Sequence, residues 1–153
     1  MKNKPSIKAQ IVTQCRETLE KKILALEKRL VDIAESRNNE TKSSAGDKYE
    51  TGRAMMQMEE DKAATQLQQL QQTLAQLNQL DWQSKHQEVK PGCLVSTNKG
   101  SFFIGIGLGK IVVDEQRIFA ISIRSPIGQV LQGKKVGDQV QFNQVVYQLL
   151  DIN

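Results

Sequence analysis

Residues 6–37 read SIKAQIVTQCRETLEKKILALEKRLVDIAESR. Val12, Cys15, Leu19, Ile23, Leu26, Leu30 and Ile33 recur along this stretch at spacings of 3, 4, 4, 3, 4 and 3. That is the seam of a coiled coil, with Lys, Glu and Arg filling the other faces, so the stretch predicts one long amphipathic helix. The pattern stops between Arg37 and Asp47, where small and polar residues suit a loop. A second seam follows, with Met56 near its start and Ala63, Leu67, Leu70, Leu74 and Leu77 further on, and it runs to about Trp82. Two long helices joined by a short loop bury their stripes best by folding back antiparallel. Roughly 35 residues at about 1.5 Å each make a rod on the order of 50 Å long, too thin to enclose a substrate. The Gln-rich run from Gln66 to Gln79 keeps its leucines at heptad spacing, which marks a solvated helix face and not a low-complexity tract.

The second half differs in composition. A linker near residues 83–90 leads to Pro91-Gly92 and then to short apolar, β-branched and aromatic runs. These are Cys93–Val95, Phe102–Ile104, Lys110–Val113, Arg117–Ile123, Gln139–Phe142 and Val145–Leu150, separated by turn residues, and they predict short antiparallel strands. One short helix is expected among them, with Ser125 as N-cap, Pro126 as first helical residue and Gly133 ending it. Fold class is therefore α+β, with a helical coiled-coil hairpin over residues 1–84 (its tip at about 38–50) and a β-rich module over 88–153.

Formal net charge is +4, divided evenly: residues 1–87 hold 14 Lys/Arg against 12 Asp/Glu, and residues 88–153 hold 7 against 5. No basic block stands out, which argues against strong sequence-independent binding to duplex nucleic acid. The two cysteines, Cys15 and Cys93, fall in different modules, which speaks against a disulfide framework and for a reducing, cytoplasmic setting. No apolar run approaches a membrane span or a signal peptide, so no membrane partner is expected.

Ser125-Pro-Ile-Gly-Gln-Val-Leu-Gln-Gly-Lys-Lys-Val-Gly-Asp138, followed by Val140-Gln-Phe142 and Tyr147-Gln-Leu-Leu-Asp-Ile152, resembles the closing signature of the GreA/GreB transcript-cleavage factors. The hairpin placed before it matches that family's architecture over the whole chain. The resemblance implies an FKBP-like C-terminal domain that binds the rim of the secondary channel of bacterial RNA polymerase. It places Ser125, Pro126, Ile127, Gly128, Gly133, Lys134 and Lys135 at that polymerase-binding surface. It also implies a hairpin that carries an acidic tip to the polymerase active site, near the nascent RNA 3′ end. The family's tip motif begins Asp-x-x-Glu, and Asp47 and Glu50 keep that spacing; Thr51, Gly52, Arg53 and Ala54 replace the remainder. The chain would then be a monomer and no enzyme of its own. It would hold no cofactor, sharing only the Mg²⁺ of the polymerase site through Asp47 and Glu50. A channel-occupying regulator without cleavage activity is the alternative.

Read from the residues alone, carboxylates three apart in a first helical turn lie on one face and can share a cation. The same pair is also a sound Asp N-cap with Glu at the third helical position, close to a capping box. Gly105-Ile-Gly-Leu-Gly109 lacks the strand–turn–helix setting of a phosphate loop and fits tight strand bends. His86, the only histidine, has no cluster of ligands around it. Met55, Met56 and Met58 are expected to pack the hairpin near its tip, and Trp82 to anchor its base. From other function classes, a self-associating scaffold and an active prolyl isomerase remain open.

Overall fold

The computed structural model describes residues 4–43 and 47–153, with side chains described outside residues 40–50. Two long helices come first, α1 (Ile7–Ser43) and α2 (Asp47–Gln79). Six strands and one short helix follow: β1 (Leu94–Thr97), β2 (Gly100–Ile104), β3 (Gly109–Val113), β4 (Gln116–Ile121), α3 (Pro126–Leu131), β5 (Gln139–Phe142) and β6 (Val145–Ile152). The class is α+β, as composition and periodicity require.

α1 begins where an N-cap stands: the Ala9 amide donates to Ser6 Oγ at 3.1 Å, and the Gln10 amide to the Ser6 carbonyl at 3.0 Å. Its far end corrects the expected loop. The helix runs through the polar residues after Arg37 as far as Ser43. Loss of the apolar seam removes a partner for the helix face, not the backbone hydrogen bonds. Asn, Thr and Ser lower helix propensity by only about 0.5 kcal/mol each, and Lys and Glu by less. α2 closes at Gln79, tightened by a Leu80 amide to Leu77 carbonyl bond of 3.3 Å.

Contacts divide the chain into two compact units, one of Met1–Arg16 with Ala75–Asn153, the other of Glu17–Leu74. In the second unit, residues Lys22, Ala25 and Leu26 share a groove with Gln66, Gln69, Leu70 and Thr73. Further along, Arg29, Ile33 and Ser36 share one with Met56 and Glu59, and Arg37 forms an ion pair with Glu60. Rising numbers on α1 meet falling numbers on α2, so the helices are antiparallel. Ile33 and Ala63 are buried, and Ile23, Leu26, Leu30, Met56, Leu67, Leu70 and Leu74 are half-buried, so both seams face inward. The methionines depart from expectation: Met55 and Met58 are 61% and 72% exposed, and only Met56 turns toward α1. Helical periodicity explains it, because Met56 shares the bearing of Ala63 and Leu67 and its neighbours do not.

In the first unit the strand order is β3-β4-β2-β1-β6-β5. Four of the five neighbouring pairs are antiparallel, but β2 and β4 run parallel, from Ser101↔Ile118 to Ile104↔Ile121. The uniformly antiparallel reading fails there because the β3–β4 hairpin docks through its second strand. β3 is left at the edge. Of the three two-residue hairpin turns, Asn98-Lys99 between β1 and β2 leaves the positive φ to Gly100 (123°), while the other two hold positive φ at each position, Asp114 (50°) with Glu115 (65°) and Asn143 (50°) with Gln144 (65°). That is the type I′ geometry that matches strand twist, reached here without glycine.

One sheet face packs a core of Val89, Cys93, Val95, Phe102, Ile104, Leu131, Val140, Leu149 and Ile152, with Ile127 and Val130 of α3 laid against it. On the other face Phe103, Ile111, Val113, Ile118 and Ala120 are equally buried. Leu80, just beyond α2, lies so close to that side that a Cβ on Gly105 would stand 2.4 Å from its Cδ1.

Lys8 ties these parts together. It is only 4% exposed, and its Nζ donates to the main-chain oxygens of Ser84 (2.9 Å), Asn153 (3.0 Å) and Gly92 (3.3 Å). Burial pushes the Lys8 ammonium below the usual lysine pKa. Lys8→Met should lower unfolding free energy by about 3 kcal/mol, because truncating the donor strands three oxygens, at least one of them fully buried. Urea denaturation followed by circular dichroism measures this.

Cys15 is buried on α1, and burial raises its thiol to about 11 from 9.0. Below pH 9 the thiol is protonated in both folded and unfolded chains and contributes nothing to pH dependence. Above it, the unfolded thiol ionises while the folded one stays protonated, so unfolding is favoured. Between pH 9 and about 11 this removes roughly 2–3 kcal/mol. Cys15→Ala should show a shallower loss of stability across that window than the parent chain when urea midpoints are compared at each pH.

Candidate functional site

Two places hold the residues singled out from the sequence. The first is the closing end of the helix pair. Asp47 and Glu50 stand in the first turn of α2, and their side chains lie outside the described residues, as does the capping arrangement read from their spacing. The backbone still places the positions. By helical periodicity both fall on the side of α2 opposite the seam of Met56, Ala63 and Leu67. Thr51, Arg53 and Ala54 beyond them are exposed, and Gly52 is half-buried.

The second place is the α3 segment. Ser125 is the N-cap, with φ −64° and ψ 158°; its Oγ accepts from the Gly128 amide at 3.1 Å and donates to the Ser122 carbonyl at 2.6 Å. Pro126 follows as the first helical residue and is exposed. Ile127 is half-buried against the sheet core. Gly128 is buried, and a Cβ there would sit 2.2 Å from the Ser122 carbonyl oxygen, so no larger residue fits. The Gln132 amide closes the helix on the Gly128 carbonyl at 3.0 Å, and Gly133 then takes φ +78°.

Past the helix, Val89 lies alongside: its amide donates to the Lys134 carbonyl at 2.9 Å, and the Gly133 amide donates to the Val89 carbonyl at 2.9 Å. The Lys135 amide donates to Asp138 Oδ2 at 2.8 Å. Most of the signature is thus committed to making a tight turn–helix–turn. Pro126 and the Lys135 side chain are exposed, with Ile127 and Lys134 half-buried. Arg124, Gln129 and Val136 are exposed beside them, and sequence spacing had not picked these out. Alternating burial in a six-residue helix is too short a signal to reveal them. The surface is basic, through Arg124, Lys134 and Lys135, with Asp138 already holding a backbone amide.

The remaining residues of interest have structural partners. His86 is 3% exposed and its Nε2 donates to the Asp81 carbonyl at 2.7 Å. The segment Gly105–Gly109 joins β2 to β3, with the Gly105 amide on the Ile121 carbonyl (2.8 Å) and the Leu108 amide on the Ala120 carbonyl (3.1 Å). It is a strand connection that cradles no helix start. Phe102 packs in a tilted contact with Phe119 and edge-on to Tyr147, at centroid distances of 5.9 and 5.7 Å, on the core face of the sheet. Among the described residues no group of three or more His, Cys, Asp or Glu side chains could hold a metal ion. None of their helices is long and apolar enough to cross a membrane.

Gly128→Ala should cost about 3 kcal/mol, since the methyl must displace the Ser122 carbonyl or α3. Pro126→Ala, at an exposed position, should cost well under half of that in the same urea titration.

Comparison with protein-family models, curated proteins and solved structures found no match to this chain.

Proposed function

We propose that the chain is a transcription elongation factor of the GreA/GreB kind, which docks on bacterial RNA polymerase and stimulates cleavage of the transcript in backtracked complexes. The observation that carries this reading is the end of the helix pair. Helices of 37 and 33 residues are joined by residues 44–46, with two carboxylate positions in the first turn of α2, facing away from the seam. At about 1.5 Å per residue, α1 alone is about 55 Å long, a length suited to reaching an active site at the bottom of a channel. The signature at Ser125–Asp138 adds a second and independent support.

On this reading the sheet with α3 on one face is an FKBP-like docking module, and Pro126, Ile127, Lys134 and Lys135 belong to the surface that meets the polymerase. Ser125, Gly128 and Gly133 hold that surface in shape. Basic side chains there suit an acidic partner surface and add to the encounter rate more than to the final affinity.

Asp47 and Glu50, three residues apart on one face, fit a shared Mg²⁺, which tolerates few protein carboxylates and keeps water and phosphate oxygens in its shell. When bound in the polymerase site, that ion supplies an activated water and charge stabilisation at the phosphodiester. The chain's own residues position the two carboxylates, exclude bulk water by filling the channel, and anchor the module at the rim. The isolated chain is inert, monomeric and without a resident cofactor.

The test is transcript cleavage in a purified backtracked elongation complex with Mg²⁺. The parent chain should accelerate cleavage, and Asp47→Ala/Glu50→Ala should abolish the acceleration while polymerase binding persists. Binding without acceleration by the parent chain would replace the cleavage reading with that of a channel-occupying regulator. Absence of binding would end both.

A further inference from the structure

The sulfur atoms of the described chain differ sharply in exposure. Cys15 and Cys93 are free thiols with no solvent exposure, and burial raises the pKa of both. The thiolate is the reactive form, so both are shielded chemically as well as sterically. Met55 and Met58 are the opposite, exposed by 61% and 72%, and three residues apart on one helix face. Met56 between them is half-buried on the seam.

Position along α2 gives the pair its meaning. Met58 follows Asp47 by 11 residues, about three helical turns, so the two positions share a bearing. Met55 lies beside Met58 on that outward side. Met58 thus shares a bearing with Asp47 about 16 Å further from the turn, while Met55 lies about 80° round the helix from Asp47, on the flank away from Glu50.

We propose that Met55 and Met58 form an oxidant-sensitive modification site, at which a peroxide converts both thioethers to sulfoxides and so lowers the chain's action on polymerase. The chemical half stands on exposure alone, and the regulatory half rests on the proposed function. In the step, a sulfur lone pair attacks one peroxide oxygen and the O–O bond breaks. A sulfur–oxygen bond forms, sulfur loses two electrons, and hydrogen peroxide leaves as one water after proton transfer. Two flexible apolar groups become polar acceptors, Met58 in line with Asp47 and Met55 beside it, and methionine sulfoxide reductases reverse the change. Both side chains face solvent, so the helix seam is untouched.

The experiment treats the full chain with hydrogen peroxide and maps oxygen uptake by peptide mass spectrometry over time. Met55 and Met58 should gain oxygen several-fold faster than Met56, with Cys15 and Cys93 unmodified and the thermal midpoint unchanged. Equal rates at all three methionines, or earlier oxidation of either cysteine, would overturn the chemical half. Polymerase binding and cleavage are then compared before and after treatment, for the parent chain and for Met55→Leu/Met58→Leu. The parent should lose activity several-fold and regain it with sulfoxide reductase, while the treated-to-untreated ratio of the variant stays near unity. Equal losses in both chains, or none in the parent, would overturn the regulatory half. Untreated parent chain that never binds polymerase would sink the proposed function and the regulatory half with it, leaving the mapping to decide the site.

Discussion

A single buried ammonium group organises the folded C-terminal unit. Lys8 sits in the first turns of α1, yet its three donors are all spent on main-chain oxygens from the linker, from the turn before β1 and from the end of β6. Those three segments lie 76, 84 and 145 residues away in sequence. A lysine suits this role because its ammonium offers three rotatable donors on a long apolar stem. Arginine's planar fork would not converge on three separate carbonyls. The surroundings reinforce the arrangement. His86 donates to the Asp81 carbonyl, and Gly92 packs so tightly against the same oxygen that a Cβ there would stand 2.2 Å from it. The linker is therefore held by hydrogen bonds on one side and by steric contact on the other.

Much of this was legible in the sequence. Two seams of leucine and isoleucine at alternating spacings of three and four gave the helices, and both seams face inward. Ser125, Pro126 and Gly133 gave a six-residue helix almost to the residue, because caps act through local hydrogen bonds that need no tertiary context. The failures have a common physical origin. A helix outlasts its apolar stripe, so the end of the stripe near Arg37 misplaced the end of α1. Strand partnering depends on which edge of a hairpin docks, and nothing local in β2 or β4 encodes their parallel pairing. Lys8 looked like one more charge on an amphipathic helix. Its burial is decided by segments that arrive from far along the chain. For the candidate site, spacing placed Asp47 and Glu50 on one face, but could not show that Met55 and Met58 are left exposed to solvent.

The two modules divide the labour that the proposed function requires. In that proposal the antiparallel helix pair acts through the carboxylate positions at its turn. The sheet supplies rigidity. With apolar side chains buried on both of its faces, it holds α3 by Ile127, Val130 and Leu131 and fixes the basic residues around it. Glycine at position 128 is what lets the helix approach this closely, and the same closeness fixes where Pro126 and Lys135 are displayed.

The strand order has a consequence for how the protein is made. β6 is formed by residues 145–152, yet it occupies an interior place in the sheet, between β1 and β5. During synthesis β1 emerges about 50 residues earlier and has only β2 beside it until β6 arrives. For that interval one edge of β1 offers unpaired amides and carbonyls, and the core around Val95 lacks Leu149 and Ile152. The Lys8 donor likewise waits for the Asn153 oxygen. The sheet of this unit is therefore completed only after residues 145–152 are made, while the helix pair, built from local contacts, can form as soon as α2 is complete.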